Sequence, residues 1–550
     1  MHSTTFSPQK TTLIYRLNRK TPCKNTYSPP ISIAKKIHLK LKLPIFNQQI
    51  KKARSRNFQG TLCWKYGTSE FLYLLTPGIR STPADAAVMT ERTSFPFLPT
   101  FRDPAGSVEL RPDGAYRTIH APFDAEMLEF LALPFATQLV AERRLVASEV
   151  VSQTAETLVL RHPRISFQSY PWEWAPSLWL SAAELTLNLC SDLVERGWIL
   201  KDATPLNVLF QGTQPIFVDV LSIQRMDPHQ PIWLAYGQFV RTFLLPMLAH
   251  SRLGWPLQIA LTRRDGYEPE EIYAALSWPA RLRQPAISAV TLPALLANNK
   301  ALQSSSFAPR SLKDPQVAKQ VLLKTLKNLL AHMRRVTPSY RSSTWSNYAE
   351  TATHYNDGDH GRKRSFVTAA LAKSKPARLL DVGCNTGVYS LLAADAGAEV
   401  VSVDTDLQAV DRLCANLKGS GKNILPLCID LAHPTPSAGW ENRENASFLS
   451  RCTGHFDTVM MLAVLHHLLL RSQIPMDRIA KLCSSLTTAY LILEWVPTTD
   501  PKFHELVRGR ESIYAHITET TFREAFAEYF TTIDELILEN GRIMLHLRRN

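Results

Sequence analysis

The chain has 550 residues, 45% of them apolar, and a net charge of +14. That length exceeds one ordinary core and implies roughly two to four domains, while the apolar share excludes a disordered chain. The charge suggests nucleic acid until it is located. Residues 1–88 hold 15 Lys and Arg against two acids, Glu70 and Asp85, and the remaining 47 basic and 46 acidic residues nearly cancel. No nucleic-acid partner is therefore expected of the folded part. No run reaches the roughly 18 apolar residues of a membrane span. The richest stretch, Phe239 to Ala249, is interrupted by Arg241 and reads as a buried helix, which fits a cytoplasmic protein. The eight cysteines form no CxxC pair and no metal-ligand spacing. Buried free thiols are expected, and no metal site.

In chain order, residues 1–88 show no sustained periodicity. They read either as a transit peptide, being Arg-rich and acid-poor, or as sequence upstream of a true start at Met89, where charge balance begins. The second reading is preferred, and the segment is set aside. Residues 89–300 mix helices and short strands as an α+β accessory domain. Helical periods run over Ala125–Leu133 and Leu178–Val194, and extended segments over Thr157–Leu160, Asn207–Phe210 and Ile216–Val220. Residues 301–344 are a linker, polar over 303–310, followed by an amphipathic helix opened by Asp314. Val317, Val321, Leu322, Leu326, Leu329 and Leu330 are expected on its one apolar face, which could couple the two halves. Residues 345–550 alternate strands and helices, the mark of a parallel α/β sheet.

Within the accessory domain, Asp202, Asn207 and Asp219 echo the protein-kinase catalytic set. There one Asp accepts the substrate proton, while the Asn and a second Asp hold Mg²⁺ on ATP. A glycine-rich lid and a Val-Ala-Ile-Lys strand are missing: Gly106 and Gly114 are isolated, and Arg161 follows the strand Thr157–Leu160. A degenerate kinase-like domain serving substrate binding or regulation is therefore preferred to an active phosphotransferase, and no ATP turnover is expected.

In the last domain, Arg378-Leu-Leu-Asp-Val382 is a short apolar strand that breaks into Gly383-Cys-Asn-Thr-Gly387 before a helix. Glycines permit close backbone approach, and the helix start offers unpaired N–H groups. Asp404 ends the second strand and suits a carboxylate bonding ribose hydroxyls. Asp430 ends the third and suits an adenine amino group, and Glu494 ends the fifth. His466 and His467 follow the fourth strand, where an imidazole can serve as base; the bland alternative is that they cap or pack a helix. Glu494 is a second catalytic candidate or a structural acid holding its loop. Asn540-Gly541 marks a hairpin between two final strands.

This ordered set resembles the class I methyltransferase family. The resemblance implies a Rossmann-like mixed sheet with an antiparallel last strand, and S-adenosyl-L-methionine held by Asp381, Gly383, Asn385, Gly387, Asp404 and Asp430. Trp345-Ser-Asn-Tyr348, Tyr355, Lys363, Pro434–Trp440, Leu465-His-His467 and Glu494-Trp-Val-Pro497 narrow it to a bacterial family related to the nodulation protein NoeA. That implies methyl transfer to an unidentified small-molecule or cell-surface or signal-glycan acceptor. Two alternatives are a bifunctional methyl and phosphoryl transferase, and a non-catalytic interaction protein retaining the fold.

Overall fold

The computed structural model describes residues 100–297, 311–338 and 357–550. The basic segment 1–88, the polar linker 303–310, Trp345–Tyr348 and Tyr355 lie outside the described residues. Residues Glu91–Asn550 form one compact unit.

The N-terminal half opens with an antiparallel sheet ordered β1-β2-β4-β3, made of β1 (Gly106–Arg111), β2 (Gly114–His120), β3 (Glu149–Gln153) and β4 (Thr157–His162). Helices α1 (Phe123–Leu131) and α2 (Pro134–Ala141) cross between β2 and β3. Pro134 divides them because its ring cannot continue a helix but suits a first turn. Helix α3 (Pro176–Glu195) buries Leu178, Trp179, Leu185, Leu187, Leu189 and Leu193. Apolar residues on most of its circumference make it the centre of this half.

After α3, β5 (Trp198–Leu200) pairs with β8 (Ile223–Arg225), enclosing a hairpin of β6 (Val208–Gln211) and β7 (Gln214–Phe217). The strand expected over Ile216–Val220 ends at Phe217. There the Asp219 carboxylate accepts the Ser222 hydroxyl at 2.5 Å, and Val220–Ser222 turns helically. The Phe239–Ala249 stretch is a buried helical segment whose turn widens over Val240–Leu244. It accommodates Pro246, which cannot donate a backbone bond, and continues as α4 (Leu245–Leu253).

Helix α5 (Pro315–Val336) is capped by Asp314, which accepts from the Gln316 N–H at 2.8 Å. Its buried face is rotated from the expected one. Ala318, Leu322, Leu326, Leu329, Met333 and Val336 are buried, while Val317 and Val321 are exposed. That face packs on α3 and α4, so α5 belongs to the core of the N-terminal half.

The C-terminal half is a seven-stranded mixed sheet flanked by helices, including α6 (Asp357–Ser374), α7 (Val388–Asp395), α8 (Leu407–Leu417) and α9 (Leu465–Leu470). Its strands are β9 (Arg378–Val382), β10 (Glu399–Asp404), β11 (Ile424–Cys428), β12 (Phe456–Met461), β13 (Thr487–Trp495), β14 (Phe530–Ile537) and β15 (Ile543–Arg549), in the order β11-β10-β9-β12-β13-β15-β14. β9 to β13 run parallel, and β15 is antiparallel to both its neighbours. The central strands read as continuous apolar runs because helices cover both faces. The order reverses beside β9, a topological switch where ligands of open α/β sheets bind beyond the carboxyl ends.

The two halves share a buried seam. Glu173 and Arg451 pair there with side chains 0% and 3% exposed, and Thr435 donates to Glu173 at 2.6 Å. The Arg451 guanidinium also lies over the rings of Phe167, Tyr170 and Phe448. Nearby, Asp411 of α8 accepts from the Ser177 N–H at the start of α3. All six described cysteines are buried and free.

Candidate active site

Asp381 is the fourth residue of β9, opposite Ser402 of β10 and Met460 of β12. It is 3% exposed and accepts the Ser390 hydroxyl at 2.6 Å; Ser390 in turn accepts from Ser402 at 2.9 Å. Burial pushes its carboxyl up to about 7, with Ser390 opposing and Asp404 assisting.

Beyond Val382 the chain takes left-handed backbone at Gly383, Asn385 and Gly387. The glycines are required for two reasons, their positive φ and the absence of space. A Cβ on Gly383 would overlap Val464, and one on Gly387 would overlap Leu413 of α8. The protein's own core therefore occupies the room those missing side chains leave. What the loop offers a ligand is backbone held in one shape.

Asp404 ends β10 and bonds this loop directly. It accepts from the Asn385 N–H at 2.8 Å and the Asp406 N–H at 2.9 Å, one on each oxygen. Each oxygen keeps acceptor capacity for a hydroxyl, and burial raises the carboxyl above its usual range. Asp430 lies two residues past β11, half-exposed; it accepts from the Ala432 N–H and faces His433 at 3.1 Å. The sheet thus brings Asp381, Asp404 and Asp430 to one carboxyl edge. An acid-lined edge with hydroxyl acceptors fits a cofactor that carries ribose hydroxyls, a sulfonium and an ammonium group.

After β12, Ala463 adopts φ 55°, an uncommon conformation for a residue with a side chain, and α9 begins at Leu465. His466 and His467 sit on its first turn with ring centroids 4.2 Å apart. His466 is 3% exposed, and its Nδ1 has no hydrogen-bond partner among the described residues. Burial, then the neighbouring His467 and Arg542, push it down to about 3, so it is neutral and a poor proton acceptor. His467 is half-buried and also lowered, by burial first and then by Arg471.

Glu494 corrects an expectation. β13 runs to Trp495, so Glu494 lies inside the strand, paired with Met544 of β15. One carboxylate oxygen meets Lys363 at 2.6 Å and the other Arg542 at 3.2 Å, with Glu494 itself 0% exposed. Arg542 also binds Asp500 at 2.8 Å. With a cation on each oxygen in a buried network, this carboxylate ties α6 and β13 to the start of β15. Lys363 also lies over the Tyr389 ring, at the first turn of α7. Arg542 and Asp500 carry no local signal, since their partners lie 48 and 42 residues away.

In the N-terminal half, Asp202, Asn207 and Asp219 all line one cleft of about 930 Å³. Arg117, which belongs to no motif in the sequence, donates to Asp219 at 2.9 Å and to the Val218 carbonyl at 3.1 Å. Strand alternation could have flagged it, because Ala115, Arg117 and Ile119 share one face and a cation among apolar inward positions needs a partner.

Residues 354–528 match the model of a family described as a methyltransferase domain. This domain is a class I S-adenosylmethionine-dependent methyltransferase, and S-adenosylmethionine is its cofactor. Over 463 residues the chain is 29% identical to the nodulation protein NoeA of Rhizobium meliloti (strain 1021), covering 81% of this chain and 94% of that protein. Among solved structures, the N-methyltransferase NodS from Bradyrhizobium japonicum WM9 with S-adenosyl-L-homocysteine is 13% identical with a TM-score of 0.27, covering 37% of this chain and 98% of that one. Magnesium protoporphyrin IX methyltransferase from Synechocystis PCC 6803 with bound SAM is 17% identical with a TM-score of 0.26, covering 38% and 100%. Among the described residues no helix is long and apolar enough to cross a membrane.

Proposed function

We propose that this protein transfers the methyl group of S-adenosylmethionine to a hydroxyl or amine of a small-molecule or glycan acceptor in the cytoplasm, with His467 as the base. The observation carrying this reading is the meeting, at one sheet edge, of the Asp381–Asp404–Asp430 acids with the strained turn that opens α9. Asp404 and the backbone of the Gly383–Gly387 loop would hold the cofactor, and Asp430 its far end. The sulfonium supplies an activated methyl group to an in-line displacement. The protein's own work is then alignment and removal of one proton from the acceptor. Of the two imidazoles, His467 suits that task better, because it is neutral at neutral pH and less deeply buried than His466. Glu494, with Lys363 and Arg542, positions the floor beneath α9. A cell-surface or signal glycan is the acceptor that the sequence resemblance implies, and the chain's similarity to a nodulation protein is the reason to test it first.

The test compares metabolite pools with and without the enzyme, supplied with isotope-labelled methyl donor. Label should enter a defined acceptor, and His467→Gln should slow that transfer about 100-fold with cofactor affinity unchanged. Undiminished transfer by the variant would remove His467 from the mechanism, and label in no acceptor would remove the acceptor class.

A further inference from the structure

The N-terminal half lies along β11, the edge strand of the seven-stranded sheet, and touches it at both ends. At the start of β11 the β6–β7 turn approaches so closely that a Cβ on Gly212 would come within 3.1 Å of the Lys422 carbonyl oxygen. At its end the contact is made by the short 3-10 turn Leu257–Leu261, which follows α4. The chain reaches that turn through Gly254, in left-handed backbone, and His250 Nδ1 meets the Trp255 carbonyl at 2.8 Å. Leu257 is buried in the N-terminal core, and Gln258 beside it reaches across to the methyltransferase half.

Gln258 Nε2 donates to Cys428 Sγ at 3.3 Å. Cys428 is the last residue of β11 and pairs with Asp404 of β10, so the two side chains share one face of the sheet. Burial, then Asp404 and Asp406, push this thiol up to about 12, with Gln258 opposing. It therefore keeps its proton, which it turns toward the Thr405 carbonyl at 3.8 Å. The sulfur is thus the acceptor for the Gln258 amide nitrogen, and the amide oxygen is left to accept elsewhere. Thr405 and Asp430, on either side of buried Cys428, are exposed, and Gln258 is half-buried. An amide of one half and a carboxylate of the other therefore border the same accessible edge, beyond β11.

We propose that Gln258 is a specificity residue for the cofactor, its amide oxygen accepting one proton of the adenine 6-amino group while Asp430 accepts the other. The inference rests on the cofactor lying along the Asp404–Asp430 edge, as proposed above. An exocyclic amine carries two N–H donors, and two acceptors, one from each half, match it. A base with a carbonyl at that position would face two acceptors and no donor. Mismatches of this kind discriminate strongly, because polar groups of the site are left unpaired. The segment that carries Gln258 is fixed by the His250–Trp255 bond and by the Trp255 and Tyr267 rings, whose centroids are 5.5 Å apart. The amide is thus in place before the cofactor arrives, which spares the cost of ordering it. The N-terminal half thereby completes the pocket of its neighbour.

The experiment titrates the full chain by calorimetry with S-adenosyl-L-homocysteine and with S-inosyl-L-homocysteine, its analogue bearing a carbonyl in place of the amine. The parent should bind the adenosyl compound about 100-fold more tightly. Gln258→Met, similar in volume but without the acceptor, should weaken that binding about 10-fold. Affinity for the inosyl compound should stay within about twofold, so the discrimination narrows. Equal weakening of both compounds would reduce Gln258 to a shaper of the wall and overturn the proposal, as would unchanged affinity for both. Amide hydrogen exchange on the parent supplies a check that needs no variant. S-adenosylhomocysteine should protect residues 257–261 together with Gly383–Asp404, and protection confined to the methyltransferase half would count against Gln258 equally. Asp404→Ala separates the two readings. If it weakens binding and Gln258→Met does not, the role of Gln258 alone is lost; if neither does, the placement of the cofactor is lost with it.

Discussion

In the methyltransferase half, Asp381, Gly383, Asn385 and Gly387 fall within seven consecutive residues, and Asp404 closes on that loop through the Asn385 N–H. In the N-terminal half, Arg117 reaches Asp219 across 102 residues and Asn207 reaches Ser222 across 15. The first constellation is local and is stiffened by its own core, with Val464 and Leu413 filling the space beside the glycines. The second exists only once a sheet, a hairpin and a turn have docked. A site of the first kind keeps its shape wherever its strand and helix pack. A site of the second kind depends on everything that holds the lobes in place, including the seam between the halves.

The sharpest way to break this comparison is at the seam. Arg451→Met leaves Glu173 buried without its cation, and a loss of about 3–5 kcal/mol is expected, measured by urea unfolding. A single shifted transition, followed alike by N-terminal and C-terminal tryptophans, should result. Two separate transitions would show that the seam does not bind the halves into one cooperative unit. A smaller effect sharpens the contrast between the two sites. Asp404→Ala removes acceptors for hydroxyls, and cofactor binding by calorimetry should weaken by about 1.5–3 kcal/mol. Asp219→Ala should leave that affinity unchanged, because its contacts lie wholly in the other half.

The remaining effect concerns Asp381 and depends on pH. Its folded pKa is raised to about 7 from 3.8, so the folded state holds a proton that the unfolded chain releases. Stability therefore falls as pH rises between those values and is level above them. Asp381→Asn carries no such charge and can still accept from Ser390. It should be more stable than the parent by about 4 kcal/mol at pH 8 and equal to it near pH 4. Equal stability of the two proteins at both pH values, by thermal melts, would show that the carboxyl ionises freely where it sits.

The legible and illegible parts of the molecule follow the same division. Strands β9 to β12 and the glycine turn could be read because apolar runs, a break and a helix period lie side by side. The final hairpin could be read from Asn540-Gly541. Glu494 was misplaced because its strand continues through an ion pair that only the fold creates: Lys363 lies 131 residues upstream. Helix α5 was read correctly as amphipathic from its apolar spacing, but the buried stripe includes Ala318 and Met333 and excludes two valines. Valines on a helix are apolar whether or not they are covered, so composition alone could not choose the face. Asp202, Asn207 and Asp219 were visible as a spacing, whereas their partner Arg117 required knowing which strand faces them.

The Glu173–Arg451 pair also has a consequence for inheritance. A recombination event that joins the first half of one relative to the second half of another must unite an acid and a base that neither half supplies alone. Where the parents differ at either position, the hybrid carries a lone ion at the centre of its seam. Exchange within this lineage should therefore favour breakpoints that keep residues 173 and 451 with the same parent, and the segment 434–451, with Thr435 and Phe448 on it, should travel with the N-terminal half it grips.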